Sequence, residues 1–184
     1  MKGKLTLVLG GSRSGKSEFA EKIAESSGKN IIYIATAAVR DEEMAERVKL
    51  HRERRPKDWF TVEEEKDVLG VLSRGGKGDV FLLDCATIWL TNLLFNGQCS
   101  EHEPVVSGAK ILEEVVRLAE TVENGLDLII VSNEVGLGII PEHPLGRLFR
   151  DLAGKANQVL AAKADSVYLV VAGIPLEIKS QPQN

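Results

Sequence analysis

Three clusters in this 184-residue chain combine residue types and spacings that can do chemistry. The first is Gly10-Gly11-Ser12-Arg13-Ser14-Gly15-Lys16-Ser17, which fits the spacing G-x-x-x-x-G-K-[ST] of a phosphate-binding loop. An apolar run, Lys4–Leu9, precedes it and an amphipathic pattern follows it, the context such a loop needs. Glycines let backbone N–H groups turn inward around phosphate oxygens, and the helix that starts near Gly15 adds its positive dipole end. Lys16 is placed to reach the β- and γ-phosphates of a nucleoside triphosphate, and the Ser17 hydroxyl to ligate Mg²⁺. The bland alternative is a glycine-rich turn with no ligand.

The second cluster is Asp79-Val80-Phe81-Leu82-Leu83-Asp84. Asp84 follows four apolar residues, so it should emerge at the carboxyl end of a buried strand, beside the cradle. Mg²⁺ takes oxygen ligands and keeps several waters, so Ser17, Asp84 and phosphate oxygens suffice to hold it. An aspartate in that position also serves as a helix cap. Another strand end carries Ser132-Asn133-Glu134-Val135-Gly136-Leu137-Gly138-Ile139-Ile140-Pro141, a shaped loop in which Asn133 and Glu134 either face a substrate or cap a turn.

The third cluster is Leu50–Phe60, LHRERRPKDWF, which gathers Arg52, Arg54, Arg55 and Lys57 around His51 in a chain that is acidic overall. A helix is expected from Asp41 to about Arg54, ended by Pro56. Met44, Val48 and His51 share one face of it. On one reading His51 is a core histidine at a basic helix end, with the cations complementing the dipole. On the other it is a nucleophile or general base toward a nucleotide phosphate held by the arginines. The cations would depress its pKa and the dipole would raise it.

With these motifs the chain resembles the bifunctional adenosylcobinamide kinase / adenosylcobinamide-phosphate guanylyltransferase family of cobalamin biosynthesis. The likeness runs nearly end to end, through GGSRSGKS, YIATA (Tyr33–Ala37), HRERRPKDWFTVEE (His51–Glu64), LLDCATIWLTNLLF (Leu82–Phe95), SNEVGLGIIPE (Ser132–Glu142) and GRLFRDLAGKANQ (Gly146–Gln158). The resemblance implies two reactions. ATP or GTP phosphorylates the aminopropanol hydroxyl of adenosylcobinamide. GTP then guanylylates a histidine, releasing pyrophosphate, and the GMP passes to adenosylcobinamide phosphate. By the same resemblance His51 and Lys16 are catalytic, and His51 carries the GMP. Arg52, Glu53, Arg54 and Arg55, with Ala35, Thr36 and Ala37, lie where the family binds guanine nucleotide, and Glu63 is placed to accept the guanine N–H donors. Asp84 is a nucleotide-side or metal-side residue. The implied fold is a P-loop α/β domain with a mixed sheet, and the implied assembly is a homotrimer. A single-function P-loop small-molecule kinase with a structural His51, and a non-catalytic nucleotide switch, are the competing readings. None of the residues announces a corrin ring. Trp59, Trp89 and the Val135–Pro141 loop are candidates for it, with ordinary aromatic packing as the alternative for the tryptophans.

The elements that must position these clusters follow from the apolar patterning. Lys4–Leu9, Asn30–Ala35, Val80–Leu83, Leu126–Val131 and Ser166–Val171 read as strands, mostly continuous apolar runs suited to burial on both faces. Phe60–Val62 and Leu176–Lys179 read as short edge strands. Ser17–Ser26, Val105–Val122 and Leu145–Ala164 read as helices, the second with a stripe through Val105, Ala109, Leu112, Val116, Ala119 and Val122. Alternation of strand and helix predicts an α/β fold, a mostly parallel, mixed sheet with helices on both faces, as one domain over residues 1–184. Gly75–Gly78 reads as a loop and the tail Ser180–Asn184 as frayed.

Composition bounds the rest. Hydrophobic residues make up 43% and charged residues 27%, with a formal net charge of −4. That balance argues against general nucleic-acid or membrane binding, so any anion site must be a local basic cluster. No segment approaches the ~18 apolar residues of a membrane span, and the apolar run at the start is too short for a signal peptide. Cys85 and Cys99 have no metal-ligand spacing and read as reduced thiols of a cytoplasmic protein.

Overall fold

The computed structural model describes residues 2–37, 46, 56, 58–95 and 106–180. Apart from Glu46, which is helical, the helix expected over Asp41–Arg54, with His51 and Arg52 to Arg55, lies outside the described residues, as do Val105, Cys99 and the last four residues of the tail.

Seven strands form one sheet: β1 (Leu5–Gly10), β2 (Asn30–Ala35), β3 (Phe60–Glu63), β4 (Asp79–Asp84), β5 (Asp127–Asn133), β6 (Ser166–Val171) and β7 (Ile174–Lys179). Their order across the sheet is β3-β2-β4-β5-β1-β6-β7. All neighbours run parallel except β7, which returns antiparallel to β6. The helices are α1 (Lys16–Ser26), α2 (Val68–Leu72), α3 (Ala86–Phe95), α4 (Gly108–Glu120) and α5 (Pro144–Lys163), with a 3₁₀ turn at Thr121–Asn124. The expected mixed, mostly parallel sheet is therefore present, and the two short strands do lie at its edges.

The central strands bury both faces. Leu5, Leu7 and Leu9 of β1, Phe81 and Leu83 of β4, and Leu128 and Ile130 of β5 join a core with α2 to α5. Val8, Val80, Leu82, Ile129 and Val131 point the other way, onto Ala20 and Ala24 of α1. Period-two alternation within a continuous apolar run splits each strand between two cores.

Several expected boundaries move. β1 begins at Leu5 and ends at Gly10, and β5 extends to Asn133, so both strands reach further toward their carboxyl ends than their apolar runs. α2 and α3 were not anticipated as helices. α3 is apolar nearly all round and offers no stripe to read, because it is sandwiched between β5, α4 and α5. On α4 the buried face is Ile111, Val115, Leu118 and Ala119, continuing to Val122; Ala109 is exposed and Leu112 and Val116 are half-buried. Two apolar stripes lie side by side on this helix. The one carrying Ile111 and Leu118 buries more area than the one carrying Ala109, so it takes the core. Ser107 caps α4, its Oγ accepting from the Lys110 N–H.

Trp89 is 1% exposed and donates its indole N–H to the Lys66 carbonyl at 2.9 Å, and Trp59 packs beside Tyr33 in the α1-side core. Both tryptophans are core residues, so their candidacy as a corrinoid surface is withdrawn in favour of packing. Among the described residues, no helix is long and apolar enough to cross a membrane.

Candidate active site

The parallel strands end at one edge, and their last residues line up in register. Glu63 of β3 pairs with Ala35 of β2, Ala35 with Asp84 of β4, Asp84 with Val131 of β5, and Asn133 of β5 with Gly10 of β1. The sequence-predicted cradle, carboxylate and shaped loop thus share one edge, the place where an open α/β sheet binds its ligands.

The loop from Gly10 to Lys16 wraps tightly. The Ser14 N–H donates to the Gly11 carbonyl at 3.3 Å, and the Lys16 ammonium donates to the same carbonyl at 3.0 Å. A side chain at position 10 would meet Ser14 Oγ at 2.5 Å and the Val170 carbonyl at 2.6 Å, so only glycine fits there. Gly15 has φ +90°, and a Cβ on it would sit 3.1 Å from Gly173 Cα. Gly11 has open space around it, so no steric demand explains that glycine. Gly15 supplies no side-chain cap to α1, and the first N–H groups of that helix stay available to an anion. Ser12 and Arg13 are exposed, while Ser17 is half-buried in the first turn of α1.

The hairpin between β6 and β7 braces this loop from outside. Its turn, Ala172 and Gly173, has φ values of 50° and 80°, and the Gly173 N–H donates to the Ser14 carbonyl at 2.8 Å. On the inner side the Glu134 N–H donates to the Gly10 carbonyl at 3.0 Å.

Burial lowers the pKa of Lys16, against the opposing pull of Cys85 and Asp84. The ammonium is thus partly stripped of water and sits within the field of the β4 end. Asp84 is half-buried, and its Oδ2 accepts the Tyr33 hydroxyl at 2.6 Å. Tyr33 itself is fully buried. Through the Tyr33 hydroxyl the Asp84 carboxylate is tied to the neighbouring strand β2. Burial pushes the Cys85 thiol up, and Asp84 adds to the shift, so this thiol stays protonated and unreactive near neutral pH.

Of the triplet Ala35, Thr36 and Ala37, the middle residue is fully buried. The Thr36 hydroxyl donates to the Cys85 carbonyl and accepts from the Cys85 N–H, both at 3.0 Å. Its carbonyl accepts from Asn92 Nδ2, which also donates to the Glu65 carbonyl. Thr36 therefore shapes the strand ends, leaving half-buried Ala35 and Ala37 as the parts of the triplet at the cleft. Glu63 is exposed at the end of β3. The structure brings Gly10 to Ser17, Ala35, Ala37, Glu63 and Asp84 to one edge; His51, Arg52, Glu53, Arg54 and Arg55 are not among the described residues.

Sequence reasoning missed Tyr33, Asn92 and the pair Ser132–Asn157. The Ser132 hydroxyl donates to Asn157 Oδ1 at 2.6 Å, and Asn157 Nδ2 donates to the Asn133 carbonyl at 3.3 Å, fixing the end of β5 to α5. A polar residue inside an apolar stripe, such as Asn157 between Ala156 and Leu160, is the signal that was available.

An all-oxygen donor set of a serine hydroxyl, a carboxylate and phosphate oxygens fits Mg²⁺. Among the described residues no group of three or more His, Cys, Asp or Glu could hold a metal ion without a ligand's help. A site completed by phosphate oxygens is the kind that dication uses.

Comparison with known proteins places these features in context. The family model described as cobinamide kinase / cobinamide phosphate guanyltransferase matches residues 6–178. The bifunctional adenosylcobalamin biosynthesis protein CobP of Pseudomonas aeruginosa is 41% identical over 177 residues, covering 96% of this chain and 98% of that protein. The bifunctional adenosylcobalamin biosynthesis protein CobU of Escherichia coli is 40% identical over 182 residues, covering 95% and 99%. Among solved structures, a protein of Pyrococcus horikoshii OT3 superposes with TM-score 0.58 at 11% identity over 99% of this chain and 89% of its own. A type III secretion system ATPase superposes with TM-score 0.56 at 14% identity, over 96% and 57%. At those identities the structural likeness speaks for the fold alone.

Proposed function

The chain belongs to the cobinamide kinase / cobinamide phosphate guanyltransferase family, and we propose that it carries out both reactions at the carboxyl edge of its sheet. It is a transferase acting on nucleoside triphosphates in cobalamin biosynthesis. The observation that carries this reading is the family match over residues 6–178, which takes in the cradle, Asp84 and the His51 stretch together.

In the kinase step the triphosphate of ATP or GTP lies in the loop Gly10–Ser17. Backbone N–H groups and the start of α1 hold its oxygens, and Lys16 draws charge from the β- and γ-phosphates. Its partial desolvation strengthens that interaction. Ser17 and Asp84 would hold Mg²⁺, which would supply positive charge against the charge developing on the phosphates. Tyr33 orients the Asp84 carboxylate by hydrogen bonding one of its oxygens.

In the second step the His51 imidazole attacks the α-phosphorus of GTP. A nitrogen–phosphorus bond forms, the bond to the bridging oxygen breaks, and pyrophosphate leaves. An oxygen of adenosylcobinamide phosphate then attacks the same phosphorus and frees His51, giving adenosylcobinamide-GDP. Arg52, Arg54 and Arg55 balance the phosphate charge, while Glu63, exposed one strand beyond Ala35, accepts from guanine and favours GTP over ATP. The assembly we infer is the homotrimer of the resemblance, working in the cytoplasm; light scattering of the purified protein tests the mass.

Incubation with α-labelled GTP should leave an acid-labile, base-stable label on the protein, discharged by adenosylcobinamide phosphate. Persistence of that label in His51→Asn would overturn the assignment. Transfer of γ-label alone, with no protein adduct, would favour a single-function kinase.

A further inference from the structure

The loop that leaves β5 has two properties that the nucleotide chemistry does not use. The first is an orphaned acceptor. Asn133 Oδ1 is sealed from solvent and has no hydrogen-bond partner among the described residues. A buried polar group without a partner is costly, so a partner is expected to arrive. Asn133 stands in register with Gly10, at the mouth of the cradle, and the residue as a whole is half-exposed. Rotation of its carboxamide toward the cleft breaks no hydrogen bond of Oδ1, because none exists.

The second property is a held apolar tip. Leu137, Ile139 and Ile140 are 83%, 96% and 64% exposed. They are not loose. Glu134 Oε1 accepts from the Gly136 N–H at 2.8 Å, and Arg150 donates to the Gly136 carbonyl at 2.8 Å. Arg147 donates to the carbonyls of Pro141, at 3.1 Å, and of Glu142. Two arginines of α5 thus grip the loop from behind and leave its aliphatic side chains facing outward. The Glu134 backbone ties its root to Gly10, so the tip is continuous with the cradle.

We propose that Asn133–Ile140 is the subsite for the phosphoryl acceptor: Asn133 takes the attacking hydroxyl, and Leu137, Ile139 and Ile140 lie against the apolar surface of a bulky macrocycle. This rests on the kinase reading above, whose acceptor is an alcohol on a short arm of a corrinoid ring. The acceptor fits both features. The arm brings its hydroxyl to the γ-phosphate, and the ring stays outside, over the tip. As the hydroxyl oxygen bonds to the γ-phosphorus, the β–γ bridging bond breaks, the nucleoside diphosphate leaves with the electron pair, and the hydroxyl proton passes to solvent. Asn133 is not a base; its oxygen accepts the O–H and aims an oxygen lone pair at phosphorus, a positioning role.

The test uses the full-length protein and steady-state γ-label transfer to adenosylcobinamide. Asn133→Ala should lower kcat about 100-fold and leave KM for adenosylcobinamide within about twofold. The double change Leu137→Ser, Ile139→Ser should raise that KM at least about tenfold and leave GTP affinity, measured by calorimetry, unchanged. Neither side-chain oxygen nor tip supports the fold, so both variants should melt with the wild type. Normal kinetics in both variants, with wild type active, overturn the proposal. So does a change of molecular mass in the double variant, which would make the tip an interface between copies. If wild type itself transfers no γ-label, the kinase reading fails, and this inference with it.

Discussion

At the amino ends of the parallel strands polar groups are paired off. Asp127 Oδ1 accepts the Lys4 N–H, and its Oδ2 accepts the Lys29 ammonium at 2.7 Å. Asp165 Oδ2 accepts the Leu5 N–H at 2.7 Å, and Lys2 pairs with Glu123. At the carboxyl ends some polar groups are paired, such as Tyr33 with Asp84 and Ser132 with Asn157, and others are left open. Both buried side-chain atoms left without partners among the described residues, Ser14 Oγ and Asn133 Oδ1, are there. So are a lysine whose pKa is lowered by burial and a non-glycine residue in the left-handed region, Arg13 at φ 56°. An opening by itself does not mark the ligand edge. A cavity of about 580 Å³ opens at the amino edge, among Lys4, Lys29, Lys77 and Asp127. What separates the two edges is satisfaction: one edge is finished when the chain folds, and the other waits for a ligand.

Experiments can sharpen that contrast. The largest effect is expected from Lys16→Met, which should cut kcat/KM for γ-transfer by about 10²–10³-fold. The same variant should be more stable than wild type at pH 7. The folded state holds the Lys16 proton less tightly than the unfolded chain, so between the folded-state pKa and 10.5 the unfolded chain carries more protons and stability rises with pH. The penalty is fully present below that window and gone above it. Urea melts at pH 7 and above pH 10.5 should therefore show an advantage of the variant that shrinks as pH rises. An unstable Lys16→Met protein would erase the distinction between the edges.

Next in size, Tyr33→Phe should raise the Mg²⁺ concentration needed for half-maximal nucleotide binding by about 10-fold, because Asp84 loses the donor that orients it. Titration followed by nucleotide fluorescence reads this without turnover. At the opposite edge, Asp127→Ala should cost about 0.5–1.5 kcal/mol in urea unfolding and leave the kinetic constants alone, since it removes the acceptor of the exposed Lys4 N–H and Lys29 ammonium, which water then serves. A change in kcat there would break the comparison. The smallest effect belongs to Glu64, whose side chain accepts the Lys66 and Asp67 N–H groups at 2.9 Å. Those hydrogen bonds hold its carboxyl below the usual 4.5. Its contribution is present above pH 4.5 and is lost as pH falls through the folded-state value. Glu64→Ala should therefore lower the melting temperature at pH 7 and match wild type in strong acid.

Within the waiting edge, residues differ in how legible they are from sequence. The cradle could be read because Gly10, Gly15 and Lys16 are fixed by local geometry, and local geometry is written in adjacent residues. Asp84 could be read because an apolar run told where its strand ends. Tyr33 could not, because its partner is 51 positions away and becomes a neighbour only through the register of β2 on β4. The α4 face was misjudged for a related reason. Two adjacent stripes satisfy the same period, and only the neighbouring α3 and α5 decide between Ile111 and Leu112. α3 is illegible because a helix buried all round has no polar face to reveal its period.

The order of the strands also sets a schedule for synthesis. β1, which leads into the cradle, is made before both of its hydrogen-bonding neighbours, β5, from Asp127, and β6, from Ser166. The Gly173 N–H that braces Ser14 comes later still. A nascent chain that stops short of β5 holds a complete phosphate-loop sequence on an unpaired strand. A chain cut before Gly173 should therefore retain the motif and lose the brace on Ser14.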